Sequence, residues 1–241
     1  MTDWTPQRCR AVARHHLETS ALMGVDFLPA HQGSGDAEGV GHASTAAGNE
    51  VEGGVLATIK ARHDASCPHC TSTTEHTQTV FGEGNPDAEI MFIGEAPGVQ
   101  EDRTGRPFVG PAGEKLDEII TAMGLSRDDV YIANVLKSRP PQNRTPLAHE
   151  VQACGVFLHE QITAINPRVI VALGSPATKF LLETAESISQ LRGIWSTCRI
   201  GESSYDILPT FHPAYLLRNY TQETRRQVWE DMKKVITRLS S

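Results

Sequence analysis

Four short apolar runs punctuate the chain, each bounded by glycine, proline or polar residues. They are "AEIMFIGEA" (88–96), "DVYIANVL" (129–136), "RVIVALG" (168–174) and the start of "YDILPTFHPAYLL" (205–217). The third is β-branched without polar alternation, as expected of a strand covered on both faces. Between the runs the apolar spacing becomes helical. "GEKLDEIITAMGL" (113–125) is amphipathic and stops near Gly124, and "LAHEVQACGVFLHEQITAIN" (147–166) ends at Asn166 and Pro167. "PATKFLLE" (176–183) and "QETRRQVWEDMKKVITRL" (222–239) complete the helical set. Strands separated by helical crossovers predict an α/β fold, a three-layer α/β/α sandwich around a central, mainly parallel four-stranded sheet.

Upstream the pattern changes twice. Residues 3–22 predict a helix with Asp3 or Thr5 as its cap and Val12, Leu17 and Leu22 as apolar positions. Residues 33–54 are rich in glycine, serine and alanine with few large apolar side chains, the composition of a flexible linker. The expected organisation is an N-terminal helical extension (1–32), a linker (33–54) and one domain (55–241).

Composition narrows the class. With 39% hydrophobic residues the chain has material for a core, and its mean hydropathy of −0.30 fits a soluble protein. No run approaches the roughly eighteen apolar residues of a membrane span, and the start "MTDWTPQRCR" is too polar for a signal peptide. A cytoplasmic, monomeric protein with no membrane partner is expected. The net charge of −7 disfavours a broadly basic nucleic-acid binder, yet basic residues cluster in "KSRPPQNR" and "YLLRNYTQETRRQ", where a local groove could form.

Ligands of parallel α/β sheets bind at the carboxyl ends of the strands. The loop there after the first strand, "GEAPGVQEDRTGRPFVGPAG" (94–113), carries Glu95, Glu101, Asp102 and Phe108. It has neither GxGxxG spacing nor a GK[ST] ending, so a nucleotide P-loop is not expected. Acids with a lone aromatic suit a flat polar ring and a water. Asn134 stands inside an apolar strand and offers one donor and one acceptor to a ring edge. Its loop leads into Arg139 and Arg144, which could meet phosphates. "FHPAYLLRN" (211–219) sets His212 and Pro213 beside Leu216, Leu217 and Arg218, the apolar wedge and basic flank that a duplex-opening protein needs.

Five cysteines is an odd number for a disulfide framework. "CPHC" gives Cys67 and Cys70 the C-x-x-C spacing of zinc, iron–sulfur or redox sites, and Cys154 lies on a later helix. Cys9 and Cys198 have no spacing partner and read as ordinary thiols.

Taken together, "CPHC", "IMFIGEAPGVQEDRTGRPFVGPAG", "NVLKSRPPQNRTP", "CGVFLHEQITAINPRVIVALG", "LRGIW" and "FHPAYLLRN" resemble, in order, the uracil-DNA glycosylase superfamily and its iron–sulfur branch, family four. The resemblance runs from residue 67 to about 232 and leaves the N-terminal segment outside it. It implies an enzyme that flips uracil out of single- or double-stranded DNA and hydrolyses its glycosidic bond, leaving an abasic site. Phe108 would stack on the base, Asn134 would read its N3 and O4 edge, and His212 would donate to O2. Gly94, Glu95 and Ala96 would hold the base, and Glu101, with Asp102 as rival, would orient the water. Pro213, Leu216 and Leu217 would wedge the duplex, while Arg139, Arg144 and Arg218 would meet phosphates. A neighbouring branch that traps DNA through its histidine has a basic insertion absent from "KSRPPQNRTP", so turnover is expected.

The resemblance also implies a [4Fe-4S] cluster on Cys67, Cys70, Cys154 and the cysteine of a K-C-R-P-P motif. Here that cysteine is Ser138. The outcomes open to such a site are a cluster with serine oxygen, water or another donor at the fourth corner, a three-iron form, or no metal; a bound but more labile cluster is expected, because the other three cysteines are kept. A damage-binding relative without turnover and a cysteine-based redox or metal protein are the rival functions.

Overall fold

A computed structural model describes residues 49–72 and 75–241. The four expected strands are present: β2 (Ile90–Gly94), β3 (Tyr131–Asn134), β4 (Val169–Leu173) and β6 (Ser203–Thr210). They pair in parallel in the order β3-β2-β4-β6, and β2, β3 and β4 are buried along their whole length. Two further strands, β1 (Glu83–Gly84) and β5 (Ser196–Ile200), add antiparallel edges and bring the sheet to six.

The helices α1 (Asn49–Ser66), α2 (Pro68–Ser72), α3 (Val99–Thr104), α4 (Pro111–Ala122), α5 (Ala148–Ile165), α6 (Gly174–Leu182), α7 (Ile188–Leu191), α8 (Pro213–Arg218) and α9 (Gln222–Leu239) complete the order of elements. Strand alternation splits the core into two layers. Met91, Ile93, Ala133, Ile170 and Ile207 pack under α1, α2, α5 and α6, while Ile90, Phe92, Ile132, Val171 and Leu208 pack under α4, α8 and α9. The three-layer sandwich follows from that division. Asn166 caps α5 in the left-handed conformation (φ 50°), and Pro167 prevents its continuation.

Three local readings change. The expected helix over 3–22, and the linker stretch as far as residue 48, lie outside the described residues; α1 begins at Asn49, within the last residues expected to be linker. The loop 94–113 folds part of itself into α3, whose backbone is capped by Glu101. The loop 211–219 contains α8, started by His212 and Pro213. Among the described residues no helix is long and apolar enough to cross a membrane.

Candidate active site and metal centre

The candidate site forms where β2 and β3 end together. Gly94 and Asn134 are register partners at those ends, so they face one another without help from long side chains. A Cβ on Gly94 would lie 2.4 Å from Asn134 Oδ1 and 2.5 Å from Phe108 Cζ. Only glycine leaves room for the amide and ring to meet over the strand end. Asn134 is 2% exposed, and among the described residues its Oδ1 has no hydrogen-bond partner. A buried carbonyl oxygen left unpaired costs roughly 1–3 kcal/mol, so this amide is built to meet something that brings a donor.

Phe108 is held in a conformation that its type avoids, φ 52°. Two groups grip the chain around it. Arg127 donates from Nη2 to Pro107 O (2.6 Å) and from Nη1 to Phe108 O (3.0 Å), with Asp117 at 2.7 Å fixing the guanidinium. On the other side Glu101 Oε1 accepts from Val109 N and Gly110 N, both at 2.9 Å, while Oε2 accepts from Gly98 N at 3.1 Å. Gly113 completes the turn, because a Cβ there would sit 2.0 Å from Phe108 O.

His212 caps α8: its Nδ1 accepts from Ala214 N at 3.1 Å. The neutral ring therefore carries its proton on Nε2 and presents a donor. Burial pushes the imidazole down to about 4, the Arg218 charge adds to that, and Glu101 opposes it. At neutral pH the donor is uncharged. The rings of His212 and Phe108 are 5.6 Å apart, which puts the donor beside the aromatic platform. Glu95 is half-buried beside Gly94, with its carboxyl raised by desolvation and no side-chain hydrogen bond among the described residues. Asp102 instead binds the segment after α2, accepting from Thr77 N (2.7 Å), Thr77 Oγ1 (3.1 Å) and Gln78 N (3.4 Å).

On the α5 side of the sheet Cys67, Cys70 and Cys154 converge. Cys154 Sγ lies 3.4 Å from Cys67 Sγ and 3.3 Å from Cys70 Sγ. His63 joins them, the four ligand atoms lying within 4.8 Å of one another and all four residues buried. Such a group can hold a metal. Contact with Cys154, and then with Cys70, pulls the Cys67 thiol far down, whereas contact with Cys154 pushes Cys70 far up. Neighbouring thiols favour one thiolate by hydrogen bonding to it, but a second thiolate beside the first is disfavoured without a cation among them. Ser138 is buried against the same group, and its Oγ lacks a hydrogen bond of good geometry. Neighbouring Lys137 is fully buried, donates to Asn134 O at 2.7 Å, and is pushed down to about 7 by burial against the opposing pull of the three cysteines.

The sequence matches the family described as the Uracil DNA glycosylase superfamily over residues 81–233. A Type-4 uracil-DNA glycosylase of Thermotoga maritima is 50% identical over 169 residues, covering 70% of this chain and 86% of that protein. The chain belongs to the uracil-DNA glycosylase superfamily. Further type-4 members from Sulfurisphaera tokodaii (45% over 175 residues, 70% of this chain and 79% of that protein) and Archaeoglobus fulgidus (42% over 179 residues, 72% and 88%) agree in extent.

Within this glycosylase fold the expected site residues divide. Gly94, Phe108, Asn134 and His212 come together, and Glu101 stands close enough to act on His212 electrostatically. Ala96 is half-buried against the α5-side core. Of the residues expected to form a wedge, not all are exposed. Leu216 is 4% exposed and Pro213 is buried, both turned inward by α8, which leaves Leu217 outward at 42%. Leu216 therefore belongs to the core packed with α4 and α9 and not to the exposed surface. Arg139 donates to Asn143 Oδ1 at 2.6 Å, and Arg144 grips Glu150 through both guanidinium nitrogens at 2.7 and 2.6 Å. Arg218 remains exposed. Three residues escaped the sequence reading: Arg127, Lys137 and His63. Only His63 had a local signal, standing four residues before Cys67 in "HDASCPHC".

Proposed function

We propose that this chain hydrolyses the N-glycosidic bond of uracil in DNA, as a monomer in the cytoplasm, and leaves an abasic site. The observation that carries the reading is the unpaired Oδ1 of buried Asn134, set against Phe108 and beside a neutral, Nε2-protonated His212. Oδ1 accepts the N3–H of a flipped uracil and the amide nitrogen donates to O4. Cytosine, which lacks that N3–H, leaves the oxygen unpaired, and this difference supports selection of the base. Phe108 stacks on the ring. His212 Nε2–H donates to O2, where negative charge grows as the uracil anion departs; one such preorganised donor is worth roughly 3 kcal/mol. A neutral donor suits this role, since it keeps its proton while stabilising the anion.

The carboxylates take separate tasks. Three of about four acceptor positions on Glu101 are occupied by backbone N–H groups, so Glu101 acts as a positioning residue for the Phe108 turn. Glu95, with its carboxyl free of partners, is the group to orient the attacking water. Arg139 and Arg218 meet phosphates, Arg144 does so on release from Glu150, and Leu217 enters the space left by the base.

The buried thiols offer the soft donors that an iron–sulfur cluster takes; such a cluster would tie α1 and α2 to α5 and to the loop after Asn134, and its contribution would be structural, holding that loop in place. Incubation with a uracil-containing oligonucleotide followed by alkali tests the reading. Strand scission is expected, and its absence on U·G, U·A and single-stranded substrates alike would sink it. Asn134→Ala and His212→Ala should each lower the single-turnover rate at least tenfold.

A further inference from the structure

The metal centre has a donor problem, because Ser138 stands where the resemblance implies a fourth thiolate. We propose that His63 Nε2, and not Ser138 Oγ, supplies the fourth donor, making a Cys3His centre of Cys67, Cys70, Cys154 and His63. The inference rests on the metal-centre reading above.

Position comes first. Cys67 N donates to His63 O at 2.9 Å, continuing the helical pattern of α1. Residues four apart on a helix share a face, so the imidazole and the first thiol point the same way. The ligand atom of His63 lies within 4.8 Å of all three sulfurs, and the residue has no exposed surface.

Tautomer comes second. His63 Nδ1 lies 2.9 Å from Asp64 Oδ1, which also accepts from Thr79 Oγ1 at 2.8 Å, and Asp64 Oδ2 is bound by Lys60. The carboxylate takes the Nδ1 proton as its hydrogen bond and leaves the Nε2 lone pair bare. Among the described residues that buried nitrogen has no hydrogen bond of good geometry, and the ring contacts the Cys67 thiol. A carboxylate behind an imidazole whose far nitrogen faces a set of thiols is how metal-ligating histidines are oriented. Phe157, edge-on to the ring at 4.9 Å, limits its other movements.

Chemistry decides between the two unpaired groups. A neutral imidazole ligates without losing a proton. A serine hydroxyl must be deprotonated at a buried site already crowded with thiolates. Replacing one thiolate by imidazole also removes one negative charge from a site that is buried away from solvent. Histidine ligation raises the potential of an iron–sulfur centre, and the same direction is expected here.

The test uses full-length protein purified anaerobically, with iron and sulfide analysis, redox titration and pulsed EPR of the dithionite-reduced state. Wild type should show a 14N hyperfine coupling. His63→Cys should keep its iron, lose the coupling and titrate at a lower potential; Ser138→Ala should keep both iron and coupling. Asp64→Asn should hold iron about 10- to 100-fold more weakly. A wild-type cluster without 14N coupling, a coupling that survives in His63→Cys, or loss of the cluster in Ser138→Ala would overturn the assignment. A protein that takes up no metal would instead remove the metal-centre reading on which it rests. Zinc in place of iron would remove the iron–sulfur reading alone. Zinc-edge X-ray absorption would then support this assignment with three sulfurs and one nitrogen, and overturn it with an oxygen in the nitrogen's place.

Discussion

Arg127 lies outside the pocket, yet its removal should disable it. Phe108 sits at φ 52°, a left-handed conformation costing a non-glycine residue about 1–2 kcal/mol. Arg127 opposes that cost with donors to Pro107 O (2.6 Å) and Phe108 O (3.0 Å). Hydrogen bonds to a charged group contribute roughly 1.5–3 kcal/mol each. The side chain is 20% exposed, so the low end applies, about 3 kcal/mol for the pair. In Arg127→Met that sum is lost and the strain favours release, while Glu101 still holds the N–H groups of Val109 and Gly110. A net shift of about 2–3 kcal/mol toward an open turn corresponds to a fall of up to about 30- to 150-fold in kcat/KM, the full factor applying where the wild-type turn is only marginally closed. The assay is single-turnover excision on uracil-containing DNA across enzyme concentrations, with a thermal melt as control. Capture of the base should weaken, and high enzyme concentration should recover part of the rate. Arg127→Lys, which reaches one carbonyl as a point charge, should fall between. Wild-type kcat/KM in a folded Arg127→Met protein would refute the idea that the ring is held by this grip.

Other predictions test separate parts of the site. Gly94→Ala places a Cβ at 2.4 and 2.5 Å from Asn134 Oδ1 and Phe108 Cζ; excision should fall at least about 100-fold, about 2.7 kcal/mol of barrier, and near-normal excision would contradict the pocket geometry. Leu216→Ala should cost about 2–4 kcal/mol of stability in a denaturant titration, as a buried leucine does. Leu217→Ala should stay within about 0.5 kcal/mol and lose activity on duplex DNA more than on single strands, and equal losses on both would remove the wedge from Leu217. His212 is held below its ordinary value, to about 4, so the unfolded chain binds its proton first. The stability it contributes is present above about pH 6.5 and is lost as pH falls through about 4, roughly 3 kcal/mol in all. Denaturant midpoints in that window should fall less steeply for His212→Asn, and equal slopes would count against a desolvated ring.

The parts of the fold that could be read in the sequence are those fixed by local pattern. β4 announced itself because a strand covered on both faces has no polar position to spare, and α5 because Asn166 and Pro167 leave a helix no way onward. Asn134 and His212 stood out as polar groups at the ends of apolar strands, where a side chain is buried by the fold but remains aimed at the ligand side. What stayed hidden depends on distance or on direction. Among its described side chains α1 buries little beyond Ile59 and His63, and it follows a glycine-rich stretch, so its apolar period is faint. Nothing around residue 127 indicates that its guanidinium closes on carbonyls some twenty positions earlier. Leu216 and Leu217 are the same residue type at adjacent positions, and only the docking of α8 decides which one faces solvent. Glu101 illustrates the remaining ambiguity. An acid in a long loop after a strand reads as chemistry, but a turn with a phenylalanine at positive φ needs its N–H groups held, and a carboxylate three residues into α3 does that. Because the same rigid turn also aims the aromatic face, a purely structural bond at Glu101 and the capture of the base are two consequences of one carboxylate.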